Sequence, residues 1–380
     1  MKQTRILFFI VLAQFCCTSV WFAGNAVMSE LQSSFGLSPD ALGYLTSSVQ
    51  AGFITGTLIF ALLTLADRFS PSKVFGVSAL AAAALNAGIL IADGQLIVLL
   101  ICRFLTGFAL AGIYPVGMKI AADYHDKGLG KALGFLVGAL VLGTAFPHLV
   151  KTLGDALPWE TVIYVTSGLA LLGGLSIYVF VPDGPFRKAG KQLDLTVIFK
   201  VFQNQQFRSA ALGYFGHMWE LYAFWAFVPV FIQYSNNTEA ISLWSFLVIG
   251  IGSLGCVAGG YVSGAIGSKK VALLALIISG GCCLLSPFFD QLPDIAFFSL
   301  LIVWGVFVIM DSPQFSTMVA QAAPSENTGS ALTIVNCIGF LLTIFSIQLL
   351  TWFSTIVDPR YMFLLLLPGP ILGVFGARRA

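Results

Sequence analysis

The sequence predicts an all-α polytopic membrane protein of twelve transmembrane helices, built as two pseudo-symmetric six-helix bundles. Three observations predict it. Of 380 residues, 58% are hydrophobic and only 9% are charged, and the mean hydropathy is +0.91. Soluble domains carry about 25% charged residues, so a chain this apolar cannot cover a water-facing surface and must use lipid as its main solvent. Basic residues sit in alternate connections, as the positive-inside rule requires. Marker residues of the first half recur in the second at a constant offset of 197–198 residues.

A span needs roughly 20 mostly apolar residues, and breaks fall where charge, proline and glycine cluster. On that rule the spans cover 6–32, 40–65, 73–92, 96–122, 130–153, 159–181, 208–234, 240–266, 270–289, 295–320, 328–356 and 361–377. The first stretch is too long for a signal peptide and lacks an A-x-A-like cleavage site, so it reads as a retained span. With the N-terminus inside, sixteen of the nineteen Lys/Arg residues face the cytoplasm: Lys2, Arg5, Arg68, Lys73, Lys119, Lys127, Lys131, Arg187, Lys188, Lys191, Lys200, Arg208, Lys269, Lys270, Arg378 and Arg379. Lys151 and Arg360 face outside, and Arg103 lies within a span. The outer connections carry acids instead, namely Asp40, Asp93, Asp155, Glu160, Glu239, Asp290, Asp294 and Asp358. Adding or dropping one span would invert every later connection and destroy this pattern.

The longest connection follows the sixth span, from Val181-Pro182-Asp183-Gly184-Pro185 to about Phe207. Leu193, Val197 and Val201 recur there at helical spacing beside Asp194 and Lys200, the pattern of a short helix lying in the inner interface. The expected organisation is a bundle over 1–181, a cytoplasmic linker over 182–207 and a second bundle over 208–380. The other connections are too short for a soluble domain, so function must reside mostly within the membrane.

The halves align. Asp67-Arg68-Phe69-Ser70-Pro71-Ser72-Lys73 after span two matches Gly264-Ala265-Ile266-Gly267-Ser268-Lys269-Lys270 after span eight. Trp21 matches Trp219, Gly107 matches Gly305, and Pro115 matches Pro313. Both halves start inside, so the repeat is parallel, related by an axis along the membrane normal.

With these features the whole chain resembles the major facilitator superfamily. The family's G-x-x-x-D-R-x-G-R-K loop is approached by Leu63-Thr64-Leu65-Ala66-Asp67-Arg68-Phe69-Ser70-Pro71-Ser72-Lys73, which keeps Asp67 and Arg68 but replaces both glycines. The second copy keeps Gly260, Gly267 and the basic pair Lys269-Lys270 but lacks the Asp, with Gly264 in its place. Arg103-x-x-x-Gly107 is similar to the family's R-x-x-Q-G pattern, with Thr106 in place of Gln. The resemblance implies that helices 1, 4, 7 and 10 line a central cavity, that the halves rock to give alternating access, and that Asp67 and Arg68 act in the inner gate. A carboxylate at Asp67 would be attracted by the positive dipole end of helix 11 near Thr328 and Gly329; the alternative is a solvated loop charge.

An ionisable group inside the bilayer is costly and therefore a functional candidate. Glu220 lies about 18 Å into span seven at 1.5 Å per residue, near mid-membrane, with His217 one turn earlier on the same face. Desolvation favours the neutral form of a carboxylate, the property a proton carrier needs. His217 could relay the proton or contact substrate. Asp311, beside the helix-bending Pro313, is a second proton site, a substrate ligand or a gate residue. Arg103 is always charged and needs a counter-charge from Glu220, Asp311 or an anionic substrate; the resemblance places it on a cavity helix and associates it with proton coupling. His148 reads as packing or anion contact. Trp21, Asn25, Tyr114, Trp219, Tyr222 and Asn336 are candidate substrate contacts beside Trp225, with packing as the alternative for each aromatic. Gly130, Gly134, Gly138 and Gly143 at near-helical spacing suit close helix contact.

The seven cysteines lie in apolar stretches with no CxxC or Cys/His cluster, which speaks against disulfides and zinc sites and for apolar filler. A net charge of +2 gives no reason to expect nucleic acid. No G-x-x-x-x-G-K-[ST] loop marks a primary pump, and no nucleophile–base constellation marks an enzyme. No cofactor or metal is expected.

The G-P-x-x-G-G run of the family's drug exporters is replaced by Gly143-Thr144-Ala145-Phe146-Pro147-His148, and the Asn of its nitrate porters is missing. The runs 111–119, 216–222 and 311–316 resemble a bacterial subgroup loosely labelled nitrate- or cyanate-permease-like. The expected function is proton-coupled secondary transport of a small polar, anionic solute by a monomer in the bacterial inner membrane, with both termini cytoplasmic. The runner-up is efflux of an amphiphilic or cationic compound. A non-transporting sensor would need an added signalling segment.

Overall fold

The computed structural model describes residues 3–125, 129–154, 157–187, 193–194, 196–235, 240–324 and 327–378. Of the residues in the charge census, Lys2, Lys127, Lys188, Lys191, Arg379, Asp155 and Glu239 lie outside the described residues. No strand occurs among the described residues. Eleven helical elements are long and apolar enough to cross a membrane, preceded by a shorter apolar helix. In chain order they are α1 (Arg5–Thr18), α2 (Ala41–Leu62), α3 (Pro71–Ile91), α4 (Leu96–Tyr124), α5 (Gly130–Leu153), α6 (Glu160–Phe180), α7 (Gln205–Tyr234), α8 (Ile241–Ile266), α9 (Ser268–Gln291), α10 (Asp294–Ala322), α11 (Thr328–Ser354) and α12 (Pro359–Ala377).

One expected span is not a single helix. The stretch 6–32 breaks after Thr18 and resumes as two short helices, Ala23–Ala26 and Met28–Phe35. The cause is local: the hydroxyls of Thr18 and Ser19 bond back to the carbonyls of Gln14, Phe15 and Cys16, competing with helix continuation. Spans four and ten also break, and at matching places. Leu96–Leu110 gives way to Tyr114–Tyr124, and Asp294–Met310 to Ser312–Ala322. Pro115 and Pro313 lack the N–H that would continue each helix, and each ring excludes the carbonyl four residues earlier.

The chain forms two compact units, Met1–Gln192 and Leu193–Ala380. Within the first, α2 crosses α4, α3 packs on α6, and α1 packs on α5 and α6. Within the second, α8 crosses α10, and α7 packs on α11 and α12. The duplicated contacts are made without side chains. A Cβ on Gly107 would lie 2.0 Å from the Val49 carbonyl oxygen, and one on Gly305 would lie 1.9 Å from that of Val248. A Cβ on Gly52 would meet the Phe104 carbonyl at 1.8 Å, and one on Gly255 that of Val306 at 2.5 Å. Backbones approach this closely only where a side chain is absent.

The glycine stripe of α5 behaves otherwise. A Cβ on Gly130 or Gly134 would meet no described atom within 4 Å, whereas one on Gly143 would lie 2.5 Å from the Phe15 carbonyl. Gly143 packs closely on α1, whereas Gly130 and Gly134 do not make the close helix contact expected of them. The short helix expected in the connection is present as Val197–Val201, with Val197 and Val201 buried and Phe199 and Lys200 exposed.

Candidate functional site

The strongest concentration of buried polar chemistry lies around α7. This helix starts at Asn204, whose side-chain oxygen accepts from the N–H groups of Gln206 and Phe207, a standard N-cap. It runs 30 residues to Tyr234 and presents a different chemistry on each face, because successive residues turn by about 100°.

One face carries Glu220, which is 1% exposed. Trp304 Nε1 of α10 donates to its Oε1 at 2.7 Å, and Cys283 Sγ of α9 approaches the same oxygen at 3.4 Å. Ser279 of α9 donates to Oε2 at 3.0 Å. The Ser279 hydroxyl also lies 3.3 Å from the Leu276 carbonyl oxygen. A buried carboxylate without donors would cost several kcal/mol, of order 3 or more; three donors offset that cost. Cys283 is therefore more than apolar filler, and Trp304, Ser279 and Cys283 are the partners that sequence reasoning missed. They lie 59–84 residues away, on helices whose register no local pattern sets.

One turn earlier, His217 Nδ1 lies 2.8 Å from Asp311 Oδ1, with both side chains buried. His217 Nε2 has no hydrogen-bond partner among the described residues. Asp311 occupies the α10 break, between Met310 and Ser312, so the kink that Pro313 causes sets its position. Beside this pair, Tyr214 donates to Asn336 of α11 at 2.8 Å, and its ring lies 6.0 Å from that of His217. Tyr222 packs against Trp225 and against Phe340 of α11. His217, Asp311, Tyr214 and Asn336 thus form one cluster a turn from Glu220, while Tyr222, about 200° round the helix from Glu220, faces Phe340 of α11. Trp219 points elsewhere: its Nε1 donates to the Leu365 carbonyl of α12 at 3.0 Å. Adjacent residues on a helix cannot face the same way, so Trp219 and Glu220 point to different neighbours.

The N-terminal unit treats its buried charge differently. Arg103 is 1% exposed. Its Nη1 donates to the Val20 carbonyl at 3.0 Å and to Asn86 Oδ1 at 3.2 Å, and its Nη2 donates to the Trp21 carbonyl. Asn86 in turn donates to Thr166 and Ser167 of α6. No carboxylate lies within ion-pair distance of Arg103 among the described residues. The guanidinium is held by the carbonyls that the break after α1 leaves without helical partners. Trp21 is also committed, donating to Gln50 at 3.2 Å and packing on Phe53. Asn25 donates to Thr46 at 2.7 Å. Tyr114 is half-buried at the start of the second segment of α4. His148 is 2% exposed, with an unpartnered Nε2, and Lys151 one turn later pairs with Glu30. Gln14 and Gln50 are buried amides that the sequence reading passed over. Gln14 has no side-chain partner among the described residues, nor does the Gln50 amide nitrogen.

At the other end of this unit, Lys119 Nζ lies 2.9 Å from Asp67 and 3.9 Å from Asp123. Arg187 donates to the Asp67 and Phe69 carbonyls and pairs with Asp183, which also accepts from Ser70. Asp67 is the anchored member of the expected gate pair. Arg68 is exposed and makes no ion pair among the described residues.

Comparison with known proteins adds the family. The model of the Major Facilitator Superfamily matches residues 10–347. The chain belongs to the Major Facilitator Superfamily. Among its relatives are a probable galactarate/D-glucarate transporter of Pseudomonas putida, 30% identical over 35% of this chain and 31% of that protein, and a galacturonate transporter of Dickeya chrysanthemi, 24% identical over 43% and 54%. The matches to these two thus span a third to a half of their lengths. A niacin transporter of Acinetobacter baylyi is 27% identical over 73% of this chain and 70% of its own length. Among solved structures, a proton:xylose symporter superposes with a TM-score of 0.76 at 15% identity, covering 99% of this chain and 94% of the other. At that identity the likeness establishes the superfamily fold.

Proposed function

We propose that this superfamily member is a proton-coupled secondary transporter of a small organic anion, working by alternating access of the segments 1–181 and 208–380 about the linker 182–207. The observation that carries the reading is the setting of Glu220. Ser279 reaches both Glu220 Oε2 and the Leu276 carbonyl. With Glu220 ionised, the hydroxyl donates to it. With Glu220 protonated, the hydroxyl turns to Leu276 and accepts the carboxyl proton. Both charge states are then hydrogen-bonded, as a group that loads and releases a proton within the membrane requires. Asp311 and His217 form the companion pair, and His217 Nε2, unpartnered among the described residues, would donate to a bound anion when the ring carries both protons. The relatives named above are transporters of galactarate or D-glucarate, galacturonate and niacin, all carboxylic acids, which supports an anionic cargo. Asn336, bonded to Tyr214 beside His217, and Tyr222, against Phe340 of the same helix α11, are binding residues, and Asp67, held by Lys119, acts in the inner gate with Arg68. The protein acts as a monomer in a bacterial inner membrane, both termini cytoplasmic.

The test has two stages. A panel of organic acids is screened by thermal stabilisation of the purified protein, since binding to the native state raises apparent stability. Uptake of a hit into proteoliposomes is then measured under an imposed pH gradient. Glu220→Gln should retain binding and counterflow and lose pH-driven accumulation; full coupling in that variant sinks the proton assignment. Efflux of a cationic compound is the second reading, favoured by two buried carboxylates against one imidazole in the C-terminal unit. Stabilisation by hydrophobic cations and not by acids would favour it.

A further inference from the structure

We infer that a groove on the C-terminal unit holds one anionic phospholipid, its headgroup at Arg208 and an acyl chain running along α7 and α12. The groove is a cavity of about 540 Å³. On α7 it is lined by Arg208, Leu212, Phe215 and Trp219, and on α12 by Leu372 and Phe375. Leu212, Leu372 and Phe375 are 47%, 63% and 63% exposed, a continuous apolar stripe open to the side of the bundle.

The two helices run antiparallel here. Gly369 sits against Trp219 and Gly376 against Leu212, each at a distance that leaves no room for a Cβ. The C-terminal end of α12 therefore lies beside the N-terminal end of α7, which collects positive charge at one end of the groove. Arg208 is exposed and makes no ion pair among the described residues. Arg378 stands over the ring of Phe375 with 5.8 Å between guanidinium carbon and ring centre. The other end is closed by Trp219, tied to the Leu365 carbonyl. Arg208 and Trp219 are eleven residues apart, about 16 Å along a helix, and one leaflet of the hydrocarbon core is about 15 Å thick. The groove thus has the length of one leaflet, an apolar wall for a chain, and cations where the headgroup of the leaflet that α7 enters would lie. Arginine suits a phosphate because its fork donates two parallel hydrogen bonds.

Native mass spectrometry tests this on the full-length protein, released from nanodiscs of phosphatidylcholine mixed with phosphatidylglycerol of identical acyl chains. The expected result is retention of one phosphatidylglycerol with at least about a fivefold preference over phosphatidylcholine. Arg208→Gln should abolish the preference and Arg208→Lys should keep part of it. Leu372→Trp, which fills the groove from an exposed position, should lower retention of both lipids. Equal retention of the two lipids by the wild type overturns the assignment, as does an unchanged preference in Arg208→Gln. Loss of bound phosphatidylglycerol to millimolar inorganic phosphate overturns it too, since that would show an anion site without a chain site. None of the three substitutions touches the groups assigned to proton coupling, so failure here leaves that reading standing.

Discussion

In the N-terminal unit the most buried charge, Arg103, is held by two backbone carbonyls and Asn86, with His148 and Asp123 also buried, while the C-terminal unit buries two carboxylates and an imidazole whose partners are side chains. The scaffolds around them are copies: Gly107 lies on the Val49 carbonyl as Gly305 lies on that of Val248, and both units bend at a proline. A guanidinium cannot lose its charge at relevant pH, so fixed carbonyls suit it, and here they belong to the broken α1. Carboxylates and imidazole can change charge, and the groups around Glu220 can serve either state. The two copies of the scaffold thus hold their most buried ionisable groups by different means.

The scaffold likeness is broken most severely at its contact points. Gly107→Val and Gly305→Val each force a side chain into a backbone carbonyl, which should cost about 3 kcal/mol or more. Both should abolish the monodisperse peak in fluorescence-detected size exclusion; survival of one alone would show that the two crossings are not equivalent. The charge contrast comes next. Arg103→Met leaves the Val20 and Trp21 carbonyls unsatisfied and should destabilise by about 2–4 kcal/mol, read as a lowered melting temperature. Glu220→Gln, nearly isosteric, should stay within about 1 kcal/mol of wild type while losing pH-driven uptake. A stable, uncoupled Arg103 variant would reverse the roles assigned to the two units.

Smaller effects refine the picture. Lys119→Gln removes a partly buried ion pair worth about 1 kcal/mol and should change melting only slightly while altering uptake rates if Asp67 acts in the gate. The smallest effect belongs to the connection. The Asp194 carboxyl accepts from the Thr196 hydroxyl and N–H, and these bonds hold its pKa below the usual carboxylate range. A lowered carboxylate pKa means the contact is complete above the ordinary range and is lost as pH falls through the lowered value. Amide exchange at Thr196 should therefore be slowed near neutrality and released in acid, and Asp194→Asn should remove the dependence.

Much of this was legible in the chain. The spans follow from runs of apolar residues, and the duplicated crossings from Gly107 and Gly305 at a shared offset, because span length and glycine placement are local or periodic properties. Glu220, His217 and Asp311 could be picked out singly because charge inside hydrocarbon is rare. The break in α1 was not legible, since a serine–threonine pair within an apolar run reads as span by hydropathy. Arg103 by itself calls for a counter-charge, from an acid or an anionic substrate, and only the break shows where its hydrogen bonds within the chain go. Trp219, a candidate substrate contact next to Glu220 in sequence, is sent by the helical turn to α12.

By itself the sequence determined that this is a two-times-six helical membrane protein, and which residues carry charge into the bilayer. Tertiary structure alone decided which of those charges are satisfied by backbone, which by side chains, and which face one another. The physical reason is range. Hydropathy and periodicity act over a helix turn or a span, whereas the donors to Glu220 come from helices 59–84 residues away and the backbone acceptors of Arg103 from 82–83 residues away, and their registers are set by how glycine-lined backbones pack.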